Sequence, residues 1–234
     1  MTTPQLTWSS ERTLRIAFAE NADETVHRTV RAAYESLRAS QLPAILDLTP
    51  AYDTLQVTID PLAHDPTALE RSIASLLSEA VAPDHPIPPA RTVTIPVCYD
   101  PEFGPDLESV GAHNNLSIEQ VVSRHTSAEY SVHFLGFSPG FAYLGGLARE
   151  LWTPRLDTPR TRIPAGSVGI AGSQTGIYPQ STPGGWRLIG RTPLVLFDPM
   201  RDPPALLSVG DTVRFQAISR DEYESHRNER RRTT

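Results

Sequence analysis

Residues 134–147 read FLGFSPGFAYLGGL and begin a glycine-rich region in the second half of the chain. Eleven of the 14 glycines lie between Gly136 and Gly190, among short β-rich pieces. Many short strands separated by glycine and proline turns are typical of a barrel-like sheet. We therefore predict a β-barrel in this half, with residues 194–197 and 212–215 as its closing strands.

The first 81 residues instead alternate short strands with amphipathic helices. The first helix is capped by Asn21 or Asp23, and the second begins at Asp65, a capping carboxylate followed by Pro66 at the first helical position. The order strand, helix, strand, strand, helix predicts a small α+β domain. We expect it to be ferredoxin-like, with its last strand absent or supplied by later residues. The predicted strands are 13–18, 44–48 and 55–59.

A proline-rich stretch separates the two halves. Residues 82–90 contain four prolines, which make a stiff linker, so we place the domain boundary there and end the first domain at residue 81. The second domain, 91–219, includes a helix opened by a capping box of Ser117 and Gln120. Residues 220–234 are polar and rich in arginine, and we expect a basic, solvated tail.

Composition excludes several classes of protein. The net charge of −6 disfavours a nucleic-acid binder, and no apolar run is long enough to cross a membrane. The N-terminus lacks a secretory pattern, so we expect a cytoplasmic protein.

Cysteine and histidine give no pattern of a metal site. Cys98 is the only cysteine, which rules out an intramolecular disulfide and cysteine-based metal sites. His113, His125 and His133 lack the spacing of metal ligands, and His125 lies near a helix end, where a charged imidazolium is favoured. We therefore predict no metal site.

All 21 basic residues are arginine. The absence of lysine removes Schiff-base chemistry, a P-loop lysine and a biotinyl-lysine carrier from this chain. The planar guanidinium instead binds carboxylates and phosphates through paired hydrogen bonds. We attribute the arginines at most surface positions to a general preference for arginine in the source proteome.

The glycine-rich motifs resemble a known family. Residues 134–147, 163–172, 174–179 and 182–186 are together similar to the signature of the KipI / allophanate hydrolase subunit 1 family. The resemblance is dense over 95–215 and weaker before the linker. It implies a small N-terminal α/β domain followed by a cyclophilin-like β-barrel.

The resemblance also implies a function. Prokaryotic members of this family typically serve as the B component of an ATP-dependent 5-oxoprolinase, which opens 5-oxoproline to glutamate. They act with a larger, related C component and with a third component, A. The implied cofactor is ATP, at a site that a partner chain could share, with Mg²⁺ as an accompanying ion.

Two other functions stay open. Similar modules form part of the carboxyltransferase region of urea carboxylase, and such a component would need its biotin carrier on another chain. One branch of the family is described as an inhibitor of a sporulation histidine kinase, which would make the chain a binding module and not an enzyme.

Opening an unreactive lactam requires groups that hold a carboxylate, polarise a carbonyl and accommodate phosphate oxygens. We predict Arg160, Gln174 and Tyr178 as the catalytic residues. Arg160 would bind the carboxylate or a phosphate, unless it forms a salt bridge that fixes a loop. Gln174 and Tyr178 would orient the carbonyl, unless they make buried structural hydrogen bonds.

The surrounding residues are interpreted as a substrate cleft. Backbone amides at the glycines of 166–172 could approach an anion, or these glycines could simply form tight barrel turns. The aromatic residues of 137–141 could line the cleft or contact the partner chain, and Trp186 could form a wall or belong to the core. The predicted substrate-binding residues are Phe137, Pro139, Phe141, Gly166, Gly172, Gly184 and Trp186.

Overall fold

The computed structural model describes residues 4–19, 23–62, 65–82 and 87–233. The chain divides into two compact units, Met1–Pro89 and Ala90–Thr234. Residues 83–86 of the predicted linker and the candidate cap Asn21 lie outside the described residues. No described helix combines the length and the apolar character that a membrane crossing requires.

The described part of the first unit is an antiparallel sheet of four strands that shares one apolar core with two helices. Strand order across the sheet is β1-β2-β4-β3. Each helix begins as the sequence predicts: Asp23 accepts from the Val26 amide at 2.7 Å, and Asp65 accepts from the Thr67 amide at 3.1 Å. The elements are β1 (Gln5–Ser10), β2 (Thr13–Ala17), α1 (Glu24–Ser40), β3 (Ile45–Pro50), β4 (Thr54–Ile59) and α2 (Pro66–Ala80).

The ferredoxin-like arrangement is not confirmed for this unit. The predicted order is present as β2, α1, β3, β4 and α2, but a further strand, β1, precedes them and pairs with β2. The pattern of Leu6 and Trp8 is too short to reveal this strand, and both side chains are only half-buried at the edge of the sheet. The extra strand therefore comes from the N-terminal side and not from later residues.

The second unit confirms the predicted barrel. Seven strands close in the order β10-β7-β6-β13-β5-β12-β9. The parallel pairing of β5 with β13 runs from Thr92 beside Thr212 to Cys98 beside Ile218, and it joins the start of the unit to its end. The barrel strands are β5 (Thr92–Cys98), β6 (Glu129–Leu135), β7 (Ala142–Gly145), β9 (Ser167–Ala171), β10 (Gln174–Ile177), β12 (Arg187–Arg191) and β13 (Thr212–Ile218).

The described part of this unit also contains three α-helices, a short 3₁₀ turn and a two-stranded ribbon. The predicted capping box is present, since Ser117 Oγ accepts from the Gln120 amide and Gln120 Oε1 accepts from the Ser117 amide. The helices are α3 (Leu107–Asn114), α4 (Ile118–Ser127) and α5 (Arg220–Thr233), and the 3₁₀ turn is Arg149–Leu151. The ribbon consists of β8 (Arg160–Ile163) and β11 (Thr182–Gly184).

Two segments near the end of the chain differ in secondary structure from the sequence predictions. Residues 194–197 form a loop with one isolated bridge between Phe197 and Ala205, because flanking prolines interrupt the ladder that a closing strand would need. Residues 220–233, expected as a tail, form helix α5, and most of the described side chains up to residue 229 are exposed to solvent as expected. Ser219 and Glu222 form a second capping box at its start, and Tyr223 packs against Phe103 with ring centroids 4.5 Å apart.

Candidate functional site

Alternation along the barrel strands produces two apolar clusters on opposite faces of the sheet. Val168 and Ile170 belong to the main core of the unit, whereas Gly169 between them faces the other way. The second cluster lies on that other face and includes a residue of β8, so the ribbon lies against the barrel there. Its members are Phe141, Ile163, Ala171, Tyr178, Trp186 and Leu188.

Glycine makes room for the aromatic rings of this cluster. A Cβ atom at Gly176 would lie only 3.1 Å from Phe141 Cζ and 3.1 Å from Trp186 Cζ3. A Cβ atom at Gly169 would lie 3.1 Å from Trp186 Cβ. The absent side chains therefore allow the indole and phenyl rings to rest directly on the strand backbone.

Four of the predicted site residues meet in this aromatic cluster. The Phe141 ring lies 5.3 Å from Tyr178 and 5.5 Å from Trp186, measured between centroids. Phe137 lies 5.5 Å from Phe141 but is 63% exposed, and its backbone adopts a φ of 67°. A phenylalanine held in the left-handed region and exposed to solvent is unusual, and such strain is concentrated at functional loops.

Arg160 lies at the edge of the same cluster and is half paired. Its Nη2 donates to Asp106 Oδ1 at 2.8 Å, while its Nη1 is buried without a hydrogen-bond partner among the described residues. Asp106 Oδ2 accepts from the Leu188 amide at 2.7 Å. The salt bridge considered from the sequence is thus present, but it satisfies only part of the guanidinium, and the Nη1 donor lacks an acceptor in the described chain.

Tyr178 provides a protonated phenol beside this guanidinium. Burial raises the pKa of Tyr178 to about 12, although the Trp186 amide and two nearby arginines act in the opposite direction. The phenol therefore stays protonated at neutral pH and keeps a hydrogen that it can donate. A Cβ atom at Gly184 would lie 2.6 Å from this hydroxyl, so a glycine is needed at this position to avoid a clash with it.

The structure does not bring Gly166, Gly172 and Gln174 into an anion cradle. The Gly166 amide donates to Tyr178 O at 2.7 Å, and the Gly172 amide donates to Thr153 O at 2.8 Å. Their φ angles of 83° and 58° identify them as turn glycines. Gln174 and Gly172 lie at the other end of β10 from Tyr178, about 13 Å of strand away. Pro139 is exposed on the loop that carries Phe137.

Sequence reasoning missed Asp106, whose only signal is its position just before α3. The expectation that the helix end favours a charged His125 is also wrong. The imidazole is fully buried, and burial lowers its pKa to about 3.

A chain of hydrogen bonds fixes the neutral form of His125. Thr175 Oγ1 donates to Gly169 O, so it accepts from His125 Nε2, and Nδ1 accepts from the Tyr99 hydroxyl at 2.7 Å. His113, in contrast, is exposed to solvent. Across the described residues, no group of three His, Cys, Asp or Glu side chains could hold a metal ion.

The sequence is similar to a family of enzyme domains and to named members within it. A family model described as carboxyltransferase domain, subdomain C and D, matches residues 4–207. The B component of 5-oxoprolinase from Bacillus subtilis (strain 168) is 43% identical over 235 residues, covering 96% of this chain and 97% of that protein. The B component of 5-oxoprolinase from Escherichia coli O157:H7 is 49% identical over 184 residues, covering 76% and 80%.

Solved structures show the same architecture. The crystal structure of TTHA0988 superposes with a TM-score of 0.77 at 38% identity, covering 89% of this chain and 40% of that longer chain. The crystal structure of the K. lactis urea amidolyase superposes with a TM-score of 0.69 over 95% of this chain and 15% of that one. Its identity of 19% establishes a shared fold alone.

Proposed function

Since the chain belongs to the family of carboxyltransferase subdomains C and D, we propose that it is the B component of an ATP-dependent 5-oxoprolinase. The observation that carries this proposal is the similarity to the B. subtilis B component over nearly the full length of both chains. The enzyme opens 5-oxo-L-proline to L-glutamate, and this chain acts in complex with the larger C component and with the A component in the cytoplasm.

The reaction explains why the site needs a cation and a neutral donor. The lactam oxygen attacks the γ-phosphorus of ATP, so that a new P–O bond forms while the bond to ADP breaks. Water then adds to the activated carbon, and the C–N bond breaks as the nitrogen takes up a proton. A second water releases inorganic phosphate and leaves the γ-carboxylate of glutamate.

The described side chains match the substrate half of this chemistry. The Arg160 side chain, which is 30% exposed and only half paired, would bind the carboxylate or the phosphoryl oxygens, and the Tyr178 hydroxyl would donate to the lactam oxygen. Phe137, with Phe141 and Trp186 behind it, would form an apolar wall for the ring methylenes. The small Gly184 beside the phenol would let the ligand approach it closely.

The described residues fit ATP less well. The amides of Gly166 and Gly172 are already bonded to carbonyl oxygens, so these two glycines do not form a phosphate cradle. We therefore place the ATP site at least partly on a partner chain.

The proposal is tested by omitting the components one at a time. The cognate A and C components are mixed with or without this chain, and 5-oxoproline-dependent ADP release is measured. We expect release only when all three are present. Undiminished release without this chain would rule out the proposed role.

The match to a family model described as a carboxyltransferase domain supports a second candidate, a carboxyltransferase component acting on urea or a related amide. The chain contains no lysine, so the biotin carrier would be a separate protein. Transfer of a carboxyl group from an added biotinylated carrier to urea, without 5-oxoproline turnover, would favour this candidate.

A further inference from the structure

A second arginine, Arg155, lies on a segment that is held at two points next to the site. The Leu156 amide donates to Gly185 O at 2.8 Å, and Arg187 Nε donates to Pro154 O at 3.2 Å. These hydrogen bonds fix the backbone on both sides of Arg155 against the turn between β11 and β12. The position of its Cα atom is therefore determined by the fold and not by a free loop.

The side chain of Arg155 has no acceptor in the described chain. It is exposed, and its guanidinium makes no hydrogen bond or ion pair with any described residue. Its charge acts on the hydroxyl of Tyr178, whose pKa both Arg155 and Arg160 lower. Arg160 itself is opposite Gly184 in the β8–β11 ribbon. The positive charges of two arginines, from two different segments, therefore both act on one phenol.

The local charge is left positive. Asp106 pairs with Arg160, whereas Arg187 donates to the neutral acceptors Pro154 O and Ser109 Oγ. Asp157 lies two residues from Arg155, but among the described residues the two form no ion pair. Three arginines are thus balanced by a single paired carboxylate, an arrangement that favours an anionic ligand.

We propose that Arg155 is a second oxyanion-binding side chain of this site, so that the site takes a ligand with two separate anionic groups. One group binds Arg160 and the other binds Arg155. Resting on the proposed function, the ligand is a phosphorylated lactam, which carries a carboxylate and a phosphoryl group.

Titration calorimetry on the reconstituted complex tests this assignment with two separate probes, inorganic phosphate and 5-oxoproline. We expect Arg155→Gln to weaken the affinity of the complex for one probe by about tenfold or more and to leave its affinity for the other within about twofold of the wild type. Loss of phosphate binding assigns Arg155 to the phosphoryl group, and loss of 5-oxoproline binding assigns it to the carboxylate. Arg155→Lys should restore part of the lost affinity. Arg214→Gln, an exposed arginine on β13, is the charge-matched control.

Unchanged affinity of Arg155→Gln for both probes would overturn the assignment of Arg155 as a second oxyanion-binding group. So would a result in which Arg155→Gln and Arg160→Gln each weaken the binding of both probes to the same extent. A wild-type complex that binds neither probe would also overturn it. The proposed function is judged separately by turnover. If the complex binds phosphate through Arg155 but does not consume 5-oxoproline, the assignment of Arg155 as an oxyanion-binding group stands and the 5-oxoprolinase assignment is refuted.

Discussion

At the scale of single residues, the pairing of Arg160 with Asp106 could not be predicted from the sequence. The two residues are 54 positions apart, and neither belongs to a local motif that predicts the contact. Arg160 could be chosen as a candidate from the sequence because the family resemblance covers it. That only one of its terminal nitrogens is paired depends on the tertiary packing that brings Asp106, just before α3, beside β12. Charge and residue type suggest an anion-binding group, whereas its partners are set by tertiary packing.

Tyr178 is expected to act as a hydrogen-bond donor. Tyr178→Phe should lower kcat of the complex by about 10- to 100-fold with a smaller change in KM, because the donor acts on charge that develops at the lactam oxygen. The variant should also lose about 1 kcal/mol of stability, since the Trp186 amide loses its acceptor.

The matched control is Tyr130→Phe, which removes a buried phenol that donates to His125 O at 2.8 Å outside the site. It should lose comparable stability and keep its activity. Equal kcat for the two variants would show that Tyr178 has only a structural role.

His125 should make the fold sensitive to acid. Its pKa is about 3 in the folded chain and near the usual 6.5 when unfolded, so between these values the unfolded state binds the extra proton. Stability should therefore fall as the pH drops below about 6.5, by about 1.4 kcal/mol per pH unit. Urea unfolding at several pH values measures this slope.

The comparison variant His125→Gln has no imidazole to titrate. The pH dependence of its stability should therefore be shallower by the slope that one proton contributes. If its stability has the same pH slope as that of the wild type, the neutral buried imidazole is not the cause.

At the scale of elements, two neighbouring glycines of the Gly184–Gly185 turn provide a matched test of the site geometry. A Cβ atom at Gly184 would lie 2.6 Å from the Tyr178 hydroxyl, whereas the nearest atom to one at Gly185 is 3.7 Å away. Gly184→Ala should displace the phenol and lower kcat/KM by about tenfold or more, since small misplacements are costly in catalysis. Gly185→Ala should stay within about twofold of the wild type. Similar activities for the two variants would contradict the predicted contact.

Local signals predict the elements that depend on local physics. Capping residues locate the starts of α1, α2 and α4, because an N-cap satisfies amides within one turn of the helix. The capping box of Ser219 and Glu222 carries the same signal for α5, but the arginine-rich composition around it points to a tail. Strand β1 and the loop at 194–197 depend on partners distant in sequence, so their local patterns are insufficient.

At the scale of the whole molecule, glycine content and motif order predict the closed barrel, while the assembly of the site needs coordinates. The predicted residues separate into a group around Tyr178 and Trp186 and a group at the opposite end of β10, Gly172 and Gln174. Because β10 is four residues long, residues at its two ends lie farther apart than the length of the substrate, although they are close in the sequence. Sequence proximity therefore overstates which residues act together.

We expect this chain to supply the anion-binding half of a lactam-opening site. The most direct measurement follows ¹³C-labelled 5-oxoproline by NMR in the reconstituted complex, with wild-type chain, Arg160→Gln and Arg214→Gln. We predict ATP-dependent formation of labelled glutamate with wild type and Arg214→Gln, and a rate about 100-fold lower with Arg160→Gln in a complex that still assembles. Wild-type rates with Arg160→Gln, or glutamate formed in the absence of this chain, would contradict the account.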